Sequence, residues 1–319
     1  MTSILTNIAA MSALQTLRTI GSSMEDTQAR VSSGMRVGEA SDNAAYWSIA
    51  TTMRSDNMAL SAVSDALGLG ASKVDTAYAG MESAIDVVKE IKAKLVTATE
   101  EGVDKKKVQE EIDQLQDQLL AIAQSASFSG ENWLVGESTL GADTPGTNPD
   151  MNVVSGFVRD NTGVSVKVTN YALDNTATGN TLFGSIDATT GVPDASGILG
   201  TVGTGTVTES VYTLDINTFT DPLTVATQMA DALTLVENAL TSMTSAAAEL
   251  GSISMRIDLQ EDFVSDLSDS LESGIGRLVD ADMNEESTRL KALQTQQQLA
   301  VQSLSIANSS SEVILSLFR

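Results

Sequence analysis

Apolar residues recur at steps of three and four through most of the chain, and the last stretch shows this in its barest form. Between Ala292 and Phe318, the residues Leu293, Ala300, Leu304, Ala307, Ile314 and Phe318 fall on one helical face, interrupted only by Gln297 and Ser311. Gln, Ser and Asn fill the other faces, and Glu312 is the only charge in the window. The first stretch repeats the pattern, with Ile4, Ile8, Met11, Leu14 and Leu17 on a face and no charged side chain before Arg18. A helix on a monomer's surface normally keeps Lys and Glu on its wet side. Two amphipathic ends that avoid charge all round point to coverage by copies of the same chain.

Between the ends, Ile4 to Ser33 reads as one helix that Gly34 stops. Ser41 or Asp42 is placed to cap a second helix from Ala44 onward. Met81, Ile85, Val88, Lys92 and Leu95 continue a seam with one snorkelling lysine. Gly102 marks a turn, after which Val108, Ile112, Leu115, Leu119 and Ile122 predict a shorter helix folded back on the long one. A further uninterrupted pattern covers Leu223 to Val279, about 85 Å if helical throughout. Gly274 and Gly276 flank the predicted joint before the last helix, which starts near Asp282. The middle differs: every proline lies between Pro145 and Pro222, glycines cluster there, and the stretches 163–169 and 207–214 enrich β-formers between turn residues. The predicted fold is mainly α, with long coiled-coil-like helical arms from both termini and a central β-rich insert.

Composition narrows the chemistry. Aromatics are 4% of the chain against 42% apolar residues, which favours aliphatic helical seams over a thick globular core. Without Cys or His there is no thiol nucleophile, no ordinary zinc site and no imidazole acid–base catalyst. Ser32 and Ser33 have no base beside them, since Arg30 and Arg36 stay protonated. Glu110 and Glu111 are adjacent and point to different helix faces. The Asp280, Asp282 and Asn284 spacing opens like a calcium loop, but Glu285 stands where that loop needs Gly and Lys291 where it needs Glu. No catalytic residue, cofactor or metal is expected, and no enzyme. A net charge of −24 argues against nucleic acid and anionic membranes as partners, and no run is long and apolar enough for membrane insertion. The first residues lack the basic and apolar regions of a secretory signal peptide.

The run Arg30 to Val37 (RVSSGMRV), then Ala40, Asp42, Asn43, Ala44, Ala45, Ile49 and Ala50, resembles bacterial flagellins. Leu250-Gly251, Arg256, Asp280 to Asp282 and the closing Ile314 to Arg319 (ILSLFR) resemble the family's other end, so the likeness covers 1–135 and 225–319. Tyr46 and Trp47 give it the look of flagellins from rhizobial alphaproteobacteria. The resemblance implies a secreted, extracellular structural subunit that polymerises into the flagellar filament for swimming. It implies three regions: 1–43 with 280–319 as paired terminal helices of the inner core, 44–135 with 223–279 as an outer helical core, and 136–222 as a variable exposed domain. Ile4, Ile8, Met11, Leu14, Leu17, Leu293, Leu304, Ile314, Leu317 and Phe318 would drive self-assembly, with Arg30, Gly34, Arg36, Asp42 and Asn43 at an inter-subunit joint. Implied partners are further copies or sister flagellins, the filament cap and hook-associated proteins, and the type III export apparatus with its chaperone. The alternative within the family is a hook–filament junction protein.

Overall fold

A computed structural model of the chain describes residues 7–100, 102–136, 151–160, 163–187, 191–203, 206–219 and 224–317, with backbone only at 160, 163–164 and 310–317. Among the described residues five α-helices follow in chain order: α1 Ile8–Ser33, α2 Ala44–Ala98, α3 Lys105–Ser125, α4 Val225–Val279 and α5 Met283–Leu317. Four strands, β1 Ser127–Phe128, β2 Glu131–Asn132, β3 Met151–Asp160 and β4 Gly163–Tyr171, lie between α3 and α4. The chain divides into two compact units, Met1–Met58 with Leu267–Arg319, and Ala59–Asp266.

Within the second unit, α2 buries Leu60, Val63, Leu67, Val74, Ala77, Met81, Ala84, Val88, Ile91, Leu95 and Ala98. With buried Gly70, these positions alternate threes and fours without a break. In α4 the same rhythm buries Met229, Ala232, Val236, Ala239, Met243, Ala246, Leu250, Ile253 and Ile257. Pairing of Lys92 with Glu237 and of Ser254 with Asp75 shows the two helices running antiparallel. Lys92 therefore snorkels from beside the seam onto an acidic partner, while Ile91 occupies the seam itself. Alanine and glycine at many seam positions let the backbones come close, which is why bulky residues alone trace the pattern incompletely.

Helix α3 returns along α2 after a turn at Gly102, whose φ of 99° is left-handed. Asp104 caps it by accepting from the Lys106 N–H at 3.2 Å, and Lys94 pairs with Glu111 at 2.6 Å. Its stripe is internal core: Val108, Ile112, Leu119 and Ala123 are buried. So are Gln109 and Gln116, and these two fasten the insert. The Gln109 amide donates to the Leu214 carbonyl at 3.0 Å and accepts from the Ile216 N–H at 2.9 Å. The Gln116 amide donates to the carbonyls of Val211 and Leu214 at 3.0 and 3.1 Å. Buried polar groups need such partners, so the two side chains fix the loop above them.

This explains one departure from the sequence reading. Strands form at 151–160 and 163–171, paired antiparallel with a bulge between Val154 and Gly156. The stretch 207–214 instead is irregular, with one antiparallel bridge from Ser210 to Val202 and a turn at 211–213. Beyond that bridge Ser210 and Thr213 satisfy each other's backbone, Ser210 N–H to Thr213 Oγ1 at 3.0 Å and Thr213 N–H to Ser210 Oγ at 3.3 Å. The glutamine amides take the Val211 and Leu214 carbonyls. The insert is organised around buried Leu134, Leu182, Phe183, Leu199 and Leu214, with Trp133 stacked on Tyr171 at 5.5 Å.

A second departure concerns Gly274 and Gly276, which lie inside α4 rather than at a break. Both sit at close approaches: a methyl on Gly276 would come 2.8 Å from Asp280 Oδ2, and one on Gly274 3.0 Å from Met53 Cε. The joint falls later, at Asp280 to Asp282.

Two helical glycines of α2 separate space from propensity. An added methyl at Gly70 would lie 2.2 Å from Val153 Cγ1, whereas Gly68 has nothing within 4 Å. In urea denaturation, Gly68→Ala is expected to stabilise by up to about 1 kcal/mol. Gly70→Ala is expected to destabilise by about 1–3 kcal/mol through overpacking against β3.

Candidate assembly interface

Helices α1 and α5 pack against one another. Asn7 Nδ2 donates to the Ala307 carbonyl at 3.0 Å near one end, and Arg30 Nη1 meets Glu286 Oε1 at 3.5 Å near the other, so the pair is antiparallel. On α1 the half-buried or buried residues Ala10, Ala13, Leu17, Ile20, Met24, Thr27 and Val31 form a row, with Gly21, Ser23 and Arg30 half-buried beside it. On α5 the matching row is Glu286, Leu290, Leu293, Gln297, Ala300, Leu304 and Ala307, with Ser287 half-buried beside it. Both sets alternate threes and fours, the geometry of a two-helix seam. Thr27 is buried in it and donates its hydroxyl back to the Ser23 carbonyl at 2.9 Å.

The residues expected to drive assembly thus divide. Leu17, Leu293 and Leu304 belong to the seam between the chain's own arms. Ile8, Met11 and Leu14 do not: they are 69%, 64% and 41% exposed. On α5 a comparable outer row, not marked by the sequence reading, leaves Leu299 59% and Ile306 68% exposed. These two lie seven apart, which could have flagged them. Ile4 and Phe318 lie outside the described residues, and of Ile314 and Leu317 only helical backbone is described. A third apolar ridge, also missed, is Met255, Leu259 and Phe263 on α4, exposed at successive steps of four beside the seam.

Each residue expected at the joint has a role within the chain. Gly34 takes φ 72° as the C-cap of α1, with its N–H on the Arg30 carbonyl at 2.8 Å. The chain then forms an antiparallel bridge at Met35 and Asp280, with Arg36 N–H on the Val279 carbonyl at 2.6 Å and Ala281 N–H on the Gly34 carbonyl at 2.9 Å. The Arg36 guanidinium donates to the Leu278 carbonyl at 3.2 Å. Beneath the bridge, Ala50, Ile275 and Val279 are buried against Met35, Met53 and Leu278. Asp42 Oδ2 accepts the N–H groups of Gly38 at 2.8 Å and Glu39 at 3.1 Å, closing the irregular turn. Asn43, rather than Ser41 or Asp42, caps α2, its Oδ1 accepting from Ala45 and Tyr46 at 3.2 and 3.1 Å. Asp282 likewise caps α5 through the Asn284 and Glu285 N–H groups. Among the described residues no helix is long and apolar enough to cross a membrane.

Residues 4–139 match the model of the bacterial flagellin N-terminal helical region, and residues 233–318 that of the C-terminal helical region. Flagellin B of Rhizobium meliloti is 53% identical over 405 aligned positions that span all of both chains, and Flagellin A of its strain 1021 is 54% identical over 404. The flagellin of Brucella melitensis biotype 1 is 46% identical, again over the whole of both chains. The chain belongs to the bacterial flagellin family. It is a rhizobial-type flagellin, a structural subunit of the extracellular flagellar filament, and self-polymerisation is its activity.

In this flagellin the Asp42 carboxyl lies below the ordinary aspartate pKa, first because the Glu39 N–H binds the ionised form, then the Gly38 N–H. A depressed carboxylate stabilises the fold above its unfolded-state pKa and loses that contribution as pH falls through the folded value. The 38–42 turn is therefore expected to hold through the ordinary carboxylate range and loosen only in stronger acid, read from the Gly38 and Glu39 amide resonances during titration. Asn43→Ala is expected to cost about 1 kcal/mol in denaturant unfolding through the lost cap.

Proposed function

We propose that this flagellin polymerises through the apolar rows its own helix pair leaves uncovered. The exposure of Ile8, Met11 and Leu14 beside an otherwise satisfied α1–α5 seam carries the reading. The arms use one face for each other and keep a second for neighbouring copies. Ile4, Ile314, Leu317 and Phe318 extend those rows by sequence pattern. Each large side chain covered by a neighbour contributes about 1.5–3 kcal/mol. The ridge of Met255, Leu259 and Phe263 offers a further contact to a neighbouring subunit. Filament contacts are head-to-tail, so unlike surfaces meet and growth does not close.

Three layers follow: residues 1–43 with 280–319 innermost, 44–135 with 223–279 around them, and 136–222 facing solvent. Arg30, Gly34, Arg36, Asp42 and Asn43 then serve two ends, holding the joint within a chain and presenting it to the next. The subunit has no catalytic role. It is exported by the type III apparatus with its chaperone, and meets the filament cap and hook-associated proteins at the filament's ends. Walls of Gln, Ser and Asn on the arms give a passing chain no fixed charge to bind.

Replacing both Ile8 and Met11 by Asp removes about 3–6 kcal/mol of inter-subunit burial. The critical concentration for polymerisation is expected to rise about 100-fold or more, read by sedimentation and electron microscopy, with helical circular dichroism unchanged. Polymerisation of the double variant at the wild-type concentration would refute the reading. The net charge of −24 repels copies, so sulfate or phosphate is expected to speed elongation, and growth rates independent of salt would count against the electrostatic part.

A further inference from the structure

Glu286 is a buried charge in a seam whose other residues, its partner Arg30 apart, are aliphatic, small, thioether or amide side chains. It is 7% exposed, its Oε1 lies 3.5 Å from Arg30 Nη1, and its Oε2 is buried with no hydrogen-bond partner among the described residues. Packing alone does not call for it, since an apolar residue in place of a buried ion pair is commonly as stable or more so. Each charge suits its own helix end: Arg30 stands in the last turn of α1 and Glu286 in the first turn of α5.

Elsewhere the seam specifies register weakly. Ala10 with Leu17, Ala13 with Ile20, and Leu293 with Ala300 and Ala307 stand at heptad spacing, so sliding one arm by seven residues, about 10.5 Å, restores much the same aliphatic contacts. It does not restore the polar ones. Glu286 would face Ser23 or Val37 instead of Arg30, leaving a buried carboxylate with no cation.

We propose that Glu286, held by Arg30, is the specificity-determining residue that sets the register of the terminal helix pair. It sits at the joint end and rejects heptad-slipped pairings. Register decides where Ile8 and Met11 stand relative to Leu299 and Ile306, so the polymer contact proposed above depends on it. The register itself does not depend on that contact.

The chain has no cysteine, so introduced pairs report without background. Ala10→Cys with Leu304→Cys reads the observed register, and Ala10→Cys with Gln297→Cys reads a seven-residue slip. Both are made in the full chain, assembled into filaments and oxidised, and only the monomer-sized cross-linked product is scored. With Glu286 present, only the first pair is expected to close. Glu286→Leu is expected to close both, with a tenth or more of the product slipped and no loss of thermal stability. The reversal Arg30→Glu with Glu286→Arg is expected to restore the first pair alone.

If Glu286→Leu closes only the first pair, the backbone bridge at Met35 and Asp280 suffices and the proposal fails. If Glu286→Leu yields no filament, the reversal decides: filaments in the observed register support the proposal, and any other result overturns it. Polymerisation by the Ile8 and Met11 double variant would sink the assembly reading and leave the cross-linking result standing.

Discussion

The structure depends on helices that must each serve two neighbours with narrow apolar faces. A seam made at steps of three and four uses about two positions in seven. When those are Ala as often as Leu, the helices approach closely and side chains just outside the seam stay wet. In α1 that leaves Ile8 and Met11 uncovered beside Ala10 and Ala13, which the seam uses. In α4 it leaves Met255, Leu259 and Phe263 beside Ile253 and Ile257. A monomer with bulky seams and charged flanks would gain stability alone. This chain instead leaves part of its apolar surface uncovered, and that is the surface the proposed assembly uses.

Where aliphatic contacts are interchangeable, polar groups supply position. Gln109 and Gln116 fix the 211–216 loop on α3, and Asp42 and Asn43 close the turn into α2. Arg30 and Glu286 mark one end of the terminal pair and Asn7 the other. Each is a side chain reaching a backbone group or a single charge, so each rewards one arrangement of neighbours. Thr27 shows the contrast: its hydroxyl bonds within its own helix and says nothing about the partner.

The helices were largely legible because a 3.6-residue period repeated over dozens of residues is hard to mistake. Gly34 as a stop and the stripe of α3 as core followed directly from residue type. What escaped the sequence did so for physical reasons. Leu17 and Leu14 look alike in a pattern, and only the partner helix decides that one is covered and the other exposed. Gly274 and Gly276 look like breakers, yet each accommodates a close neighbour inside a continuous helix. The 207–214 stretch carries β-formers, but local Ser–Thr bonding and two distant glutamines claim its backbone. Glu286 was readable in principle, as a charge standing seven residues before Leu293 on the same face.

Charge placement reconciles a net −24 with polymerisation. Repulsion between exposed charges falls off within a Debye length, about 8 Å at physiological ionic strength. Residues 7–17 carry no charged side chain, and neither do 292–311. Along these arms the nearest like charges of two subunits can therefore stand more than a Debye length apart while apolar rows touch. Acidic residues outnumber basic ones 42 to 18, so contacts through other surfaces mostly bring like charges together and cost more. In the proposed contact, selectivity comes as much from where the charge is absent as from the apolar side chains that remain.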